Sequence, residues 1–209
     1  MPDGGSSQRV LWEGSPSVRA WIKFGGTGEG VAFWAIRKNA STTVRNWLKG
    51  QGFRYRVLSP DIRWLHVAIV RDPYERYLSG LRQMYRHHGR RGRLRGVGNW
   101  EEFVQYVQER NKRELYTHNS DAHFEPQHWT VDELPAPALF ELSQLGLFQQ
   151  WMVGTGIVSA VEMDHRNRTQ EEHLDYARER IDREQVERHY ARDVQIALHC
   201  LKHPHPENR

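Results

Sequence analysis

The chain has 209 residues, a net charge of +4 with its histidines neutral, and one cysteine. That length suits one domain with a genuine core. A lone cysteine excludes an internal disulfide and a cysteine-based zinc site. No apolar run reaches the length of a membrane-spanning helix and no signal-peptide stretch opens the chain, so a cytoplasmic protein is expected. The positive charge favours an anionic partner without naming it.

Residues 1–8 are expected to be a flexible leader and residues 9–209 a single domain. Val10–Trp12 and Val18–Phe24 are predicted short strands, with the glycines of 25–30 forming a hairpin turn rather than a phosphate loop, because GxGxxG is absent. Val31–Ile36 is six apolar residues in a row and predicts a buried strand. Val44, Trp47 and Leu48 share one helical face, and Gly50 and Gly52 stop that helix. Phe53–Leu58, interleaved with arginines, predicts an edge strand. His66–Val70 predicts a second buried strand, followed by Asp72 as N-cap, Pro73 at the first helical position and Glu75 completing a capping box. This helix continues through Tyr77, Leu78, Leu81 and Met84.

Arg86–Arg95 holds five arginines in ten residues and predicts a basic loop reaching to residue 98. Asn99 caps a helix that turns Phe103, Val104 and Val107 inward. Asn119–Trp129 is polar and irregular. Ala138–Leu142 predicts a third central strand, and Leu145–Val153 a helix ended by Gly154 and Gly156. Two helices follow the polar turn Asp164–Thr169. The second starts at Asp182, boxed by Gln185, and turns Val186, Tyr190, Val194, Ala197 and Leu201 to one face. The repeated order of strand, loop and helix predicts an α/β fold with a central parallel sheet flanked by helices. Ligands of such sheets collect beyond the carboxyl ends of the strands.

Two loops fall at that edge. In the first, Lys38, Ser41, Thr42 and Thr43 join a full charge and three hydroxyls to a helix N-terminus, a natural anion cradle. It is not a Walker A loop. In the second, Arg71 ends a strand and Ser79 lies eight residues on. Together they suit a ligand with two anionic groups, although Arg71 taken alone also reads as a surface arginine beside a capped helix. His66, placed at the start of its strand, is expected to be structural, and Cys200 a packed thiol. Trp100 and Trp129 read as packing residues or as a sugar platform.

The chain resembles sulfotransferases that use 3′-phosphoadenosine 5′-phosphosulfate (PAPS), in particular the carbohydrate, family 2-like branch. Arg37-Lys-Asn-Ala-Ser-Thr-Thr43 is similar to the family's 5′-phosphosulfate loop, and Val70–Ser79 to its 3′-phosphate motif, including the spacing from arginine to serine. Asp121–Gln127 and Tyr190–Asp193 resemble its His-aromatic-x-Pro-Gln segment and C-terminal helix. The resemblance implies a P-loop-like three-layer fold. It also implies sulfuryl transfer from PAPS to a hydroxyl acceptor, here a carbohydrate, leaving 3′-phosphoadenosine 5′-phosphate (PAP). Arg37, Lys38, Asn39, Ala40, Ser41, Thr42 and Thr43 would hold the 5′ end of the donor, and Arg71 and Ser79 the 3′-phosphate. Lys38 would also follow charge onto the departing oxygen. The leaving group is a stable phosphate anion, so no metal is expected.

Two departures stand out. Arg37 replaces the proline that usually precedes the loop lysine. Lys49-Gly-Gln-Gly52 occupies the distance at which many relatives carry a catalytic His or Glu. The expected general base is therefore His123, since histidine's unperturbed pKa lies near neutrality, with Glu125, Asp121 and His128 as alternatives. The arginine loop suits an acidic acceptor, nucleic acid or plain solvation, and Arg166 and Arg168 suit either the donor or the surface. Two rival functions stay open: a magnesium-dependent phosphotransferase using a nucleoside triphosphate, and a non-enzymatic polyanion binder.

Overall fold

The computed structural model describes residues 19–25, 29–59, 61–89, 97–117, 123–160, 163 and 172–203. The expected leader, the strand at 10–12, most of the glycine turn, residues 90–95 of the arginine loop, Asp121 and the turn bearing Arg166 and Arg168 lie outside them.

Five strands form one mixed sheet. They are β1 (Arg19–Phe24), β2 (Glu29–Trp34), β3 (Arg54–Val57), β4 (Arg63–Val70) and β5 (Ala138–Glu141), in the order β3-β1-β2-β4-β5. β2, β4 and β5 run parallel, while β1 pairs antiparallel with β2 and with β3. The parallel sheet expected from the sequence is thus a trio, extended by an antiparallel pair. The β1–β2 pair is a hairpin, as expected, with the Gly25 amide donating to the Glu29 carbonyl at 2.8 Å. Ala138–Glu141 is not central: it closes the sheet at the edge opposite β3.

Eight α-helices are described: α1 (Ser41–Gly50), α2 (Pro73–Met84), α3 (Trp100–Asn111), α4 (His128–Val131), α5 (Leu145–Gly154), α6 (Glu172–Arg178), α7 (Arg183–His189) and α8 (Ala191–Lys202). Alternation along β4 sends Val67 and Ile69 into a cluster with Val44, Leu48 and Phe148, and Ala68 and Val70 into another with Ile196 and Cys200. Covering both faces explains why this strand reads as a continuous apolar run. A further cluster of Tyr77, Leu81, Phe103 and Tyr190 joins α2, α3 and the C-terminal helices.

Several local expectations need correction. His66 is the fourth residue of β4, not its first, and is 6 % exposed. Asp72 does cap α2 by accepting from the Glu75 amide, but the Glu75 carboxylate leaves the cap and grips Arg178. Arg86 and His87 belong to a π-helical turn, Tyr85–Gly89, that extends α2 rather than to a loop. Gln185 does not close a box at Asp182; its amide donates to the Asn111 carbonyl. The single long helix after Asp182 breaks at Tyr190, whose hydroxyl donates to the Phe124 carbonyl at 2.8 Å. The break turns α8 so that Asp193, Ile196, Ala197 and Cys200 face inward, and Leu201 stays 49 % exposed.

Candidate active site

β2 and β4 are parallel neighbours, so the loops that leave them stand side by side. The first loop turns tightly into α1 because Lys38 (φ 69°) and Ala40 (φ 52°) both adopt the left-handed conformation. Each non-glycine residue held there costs on the order of 1 kcal/mol, and such strain collects at functional sites. No side chain caps α1, so its first amides are available to an anion.

Three long-range brackets lock the loops together. Arg71 donates from its guanidinium to the Lys38 carbonyl at 3.2 Å. Arg76, only 2 % exposed, donates to the Arg37 carbonyl and to the Glu125 carbonyl. Gln127, 1 % exposed, accepts from the Arg71 amide at 2.9 Å and from the Asn39 side chain, and donates to the Arg71 carbonyl at 2.8 Å. Asn39 also donates to the Ile69 carbonyl at 2.8 Å. Behind Gln127 sits the fully buried Asp193 of α8. Its carboxylate accepts from the Gln127 amide at 2.8 Å and the His128 amide at 2.9 Å, and pairs with His128 Nδ1 at 2.9 Å.

Above this frame opens a cleft of about 1580 Å³. Arg37, Lys38, Ala40, Ser41, Thr42 and Thr43 line it from the first loop, and Arg71 and Ser79 from the second. Asn39 does not; its side chain is buried beneath the loop at 1 % exposure. Lys38 Nζ donates to Gln83 Oε1 at 3.3 Å, which steers it across the cleft toward α2. Burial pulls the Arg71 guanidinium below its ordinary pKa while Glu75 and Asp72 push it back up; an arginine remains charged at neutral pH regardless. Burial raises the Glu75 carboxyl, but the Arg178 hydrogen bonds and the charges of Arg178 and Arg71 outweigh it and hold it below its usual range.

Of the described candidates for a base, His123 alone lines the cleft. His128 is committed to Asp193, and Glu125 is exposed outside the cleft. Sequence reasoning missed Glu133, an exposed carboxylate on the cleft wall, and the roles of Arg76 and of Gln127 as bracket. Gln127 and Asp193 stood inside quoted motifs; Glu133 carried no signal. Among the described residues no three His, Cys, Asp or Glu side chains are grouped to hold a metal, and no helix is long and apolar enough to cross a membrane.

Two loops carrying cationic side chains thus meet at the carboxyl ends of parallel strands. Residues 54–198 match the model of the sulfotransferase family, and the chain belongs to that family. Sulfuryl transfer is the chemistry that this membership assigns. The match takes in the Arg71 loop, His123 and Asp193, and begins after the Lys38 loop. No curated protein and no solved structure matches the chain.

Proposed function

We propose that the chain transfers a sulfuryl group from PAPS to a hydroxyl of a carbohydrate acceptor and releases PAP. The observation that carries this reading is the joining of two cationic loops into one cleft through Arg71, which lines the cleft and bonds the Lys38 carbonyl at 3.2 Å. The strand–loop–helix order of β2 and α1 beside β4 and α2 also supports a P-loop-like, three-layer reading of the fold.

PAPS supplies an activated sulfuryl group whose departure leaves a stable phosphate anion. On this reading Arg71 and Ser79 take the 3′-phosphate, and the Ser41, Thr42 and Thr43 hydroxyls with the α1 amides take the 5′ end. Lys38 neutralises charge as it grows on the leaving oxygen, and His123 accepts the proton of the attacking hydroxyl. Positioning and fixed charge then supply most of the acceleration. The residues present fit a donor with two anionic ends: a lysine and hydroxyls on one loop, an arginine and a serine on the other.

Calorimetric titration with PAP, with AMP as control, tests the reading. Wild-type protein should bind PAP in metal-free buffer and bind AMP at least tenfold more weakly, since a phosphate–guanidinium pair is worth about 1.5–3 kcal/mol. Arg71→Ala should abolish that preference. Lys38→Ala and His123→Ala should cut turnover by about 100-fold or more, with His123→Ala leaving PAP affinity within twofold. Binding of ATP with magnesium in place of PAP would sink the proposal.

A further inference from the structure

The cleft has a second wall, built by the antiparallel strands. Trp21 of β1 lies opposite Phe33 of β2 on one side and Tyr55 of β3 on the other, so the three side chains share the face covered by α1. Phe33 is buried at 1 %, whereas Tyr55 is 54 % exposed and Trp21 half-buried. Their rings stand 5.6 Å apart at 40°, forming an open aromatic wedge. One cation lies beside it and two more line the same cleft. Lys49 Nζ lies 5.3 Å from the Trp21 ring centre. Arg45, anchored by its bond to the Ser41 carbonyl at 2.9 Å, lines the cleft together with Arg19, Trp21 and Tyr55.

The topology places this wall. β1 runs against β2, which brings Arg19, the first residue of β1, to the sheet edge where β2 releases the Lys38 loop. β4 and Arg71 flank β2 on its other side. Along that edge the order is therefore aromatic wedge, Lys38 loop, Arg71 loop. On the donor placement proposed above, with the 3′-phosphate at Arg71 and the 5′ end at the Lys38 loop, the transferable end lies on the side of the wedge.

We infer that Trp21, Tyr55, Arg19 and Arg45 form the acceptor subsite, and that it takes a pyranose ring carrying a carboxylate or sulfate. This rests on the donor placement proposed above. The C–H face of a pyranose packs on an exposed aromatic ring, and a guanidinium pairs bidentately with a carboxylate or sulfate. An open, cationic wedge does not suit a small phenol, which calls for an enclosed apolar slot. The tryptophans first considered as a sugar platform do not serve: Trp100 is 4 % exposed, and Trp129, though 58 % exposed, does not line the cleft.

Calorimetry on protein saturated with PAP tests the subsite, with a glucuronate-containing hyaluronan tetrasaccharide and uncharged cellotetraose as probes. Wild-type protein should prefer the charged tetrasaccharide. Tyr55→Ala should weaken its binding about tenfold, Tyr55→Phe should retain it, and Arg19→Gln should erase the preference for charge. PAP affinity, which reports that each variant is folded, should stay within twofold. Unchanged tetrasaccharide affinity in Tyr55→Ala, or no binding of either sugar by PAP-loaded wild type, overturns the subsite. Failure of wild-type protein to bind PAP overturns the donor reading instead.

Discussion

His66 is buried, and burial lowers its pKa to about 4. Trp34 Nε1 donates to its Nδ1 at 3.0 Å, a bond that needs that nitrogen unprotonated. The imidazole is therefore a neutral acceptor in the core, not a catalyst. As pH falls below 6.5, the unfolded chain binds a proton that the folded chain refuses until about pH 4, so stability is lost across that window. The loss is on the order of 3 kcal/mol. His66→Gln, which keeps an acceptor for Trp34 but cannot titrate, should flatten the fall in urea midpoint between pH 6.5 and 4; parallel profiles for the two proteins would refute this. Lys38 makes the opposite use of its surroundings. Its backbone is held in the left-handed region, and its Nζ donates to Gln83 of α2 at 3.3 Å.

At the scale of elements, the Trp64 indole of β4 folds over β2 because Gly30 has no side chain. A Cβ there would stand 2.4 Å from the Trp64 ring, and the parallel register sets the two residues side by side. The indole is fixed by its bond to the Ser59 carbonyl at 2.9 Å and by Phe24, whose ring lies 5.3 Å away. Gly30→Ala should expel it and cost about 1–3 kcal/mol, read as a lower urea midpoint with a change in tryptophan emission. A wild-type midpoint would show that the indole moves freely. The same logic of fixed anchors explains the break between α7 and α8. Tyr190 belongs to the α2–α3 cluster and Ile196 to the cluster beneath β4, and one straight helix would not serve both.

Across the whole molecule, Asp193 ties the last helix to the loops that leave β2 and β4, through Gln127. Asp193→Ala would strip the buried Gln127 and His128 amides of their acceptor, at about 1–3 kcal/mol for each group left unpaired. Unfolding free energy should fall accordingly, and PAP affinity should fall with it, although Asp193 does not line the cleft. Urea unfolding and calorimetry on the same variant check this; a destabilised protein with intact PAP affinity would separate the bracket from the site.

The residues that read correctly from the chain alone act locally. Six apolar residues before a polar turn made β2 and α1 legible, and Asp72 and Pro73 marked the start of α2, because capping and periodicity involve neighbours within a few positions. Both loops and the family likeness followed from such short stretches. The brackets Asn39–Gln127, Arg76–Arg37 and Asp193–Gln127 join residues 88, 39 and 66 positions apart. No local pattern encodes such pairs. The sequence by itself determined the alternation of strands and helices and the charges that the loops carry. Only the tertiary structure decided that β5 closes an edge, that Asn39 faces inward, and that Trp21 and Tyr55 share a cleft with Lys38. Those outcomes depend on which distant groups meet in space, and a buried polar group is stable only where the fold brings it a partner.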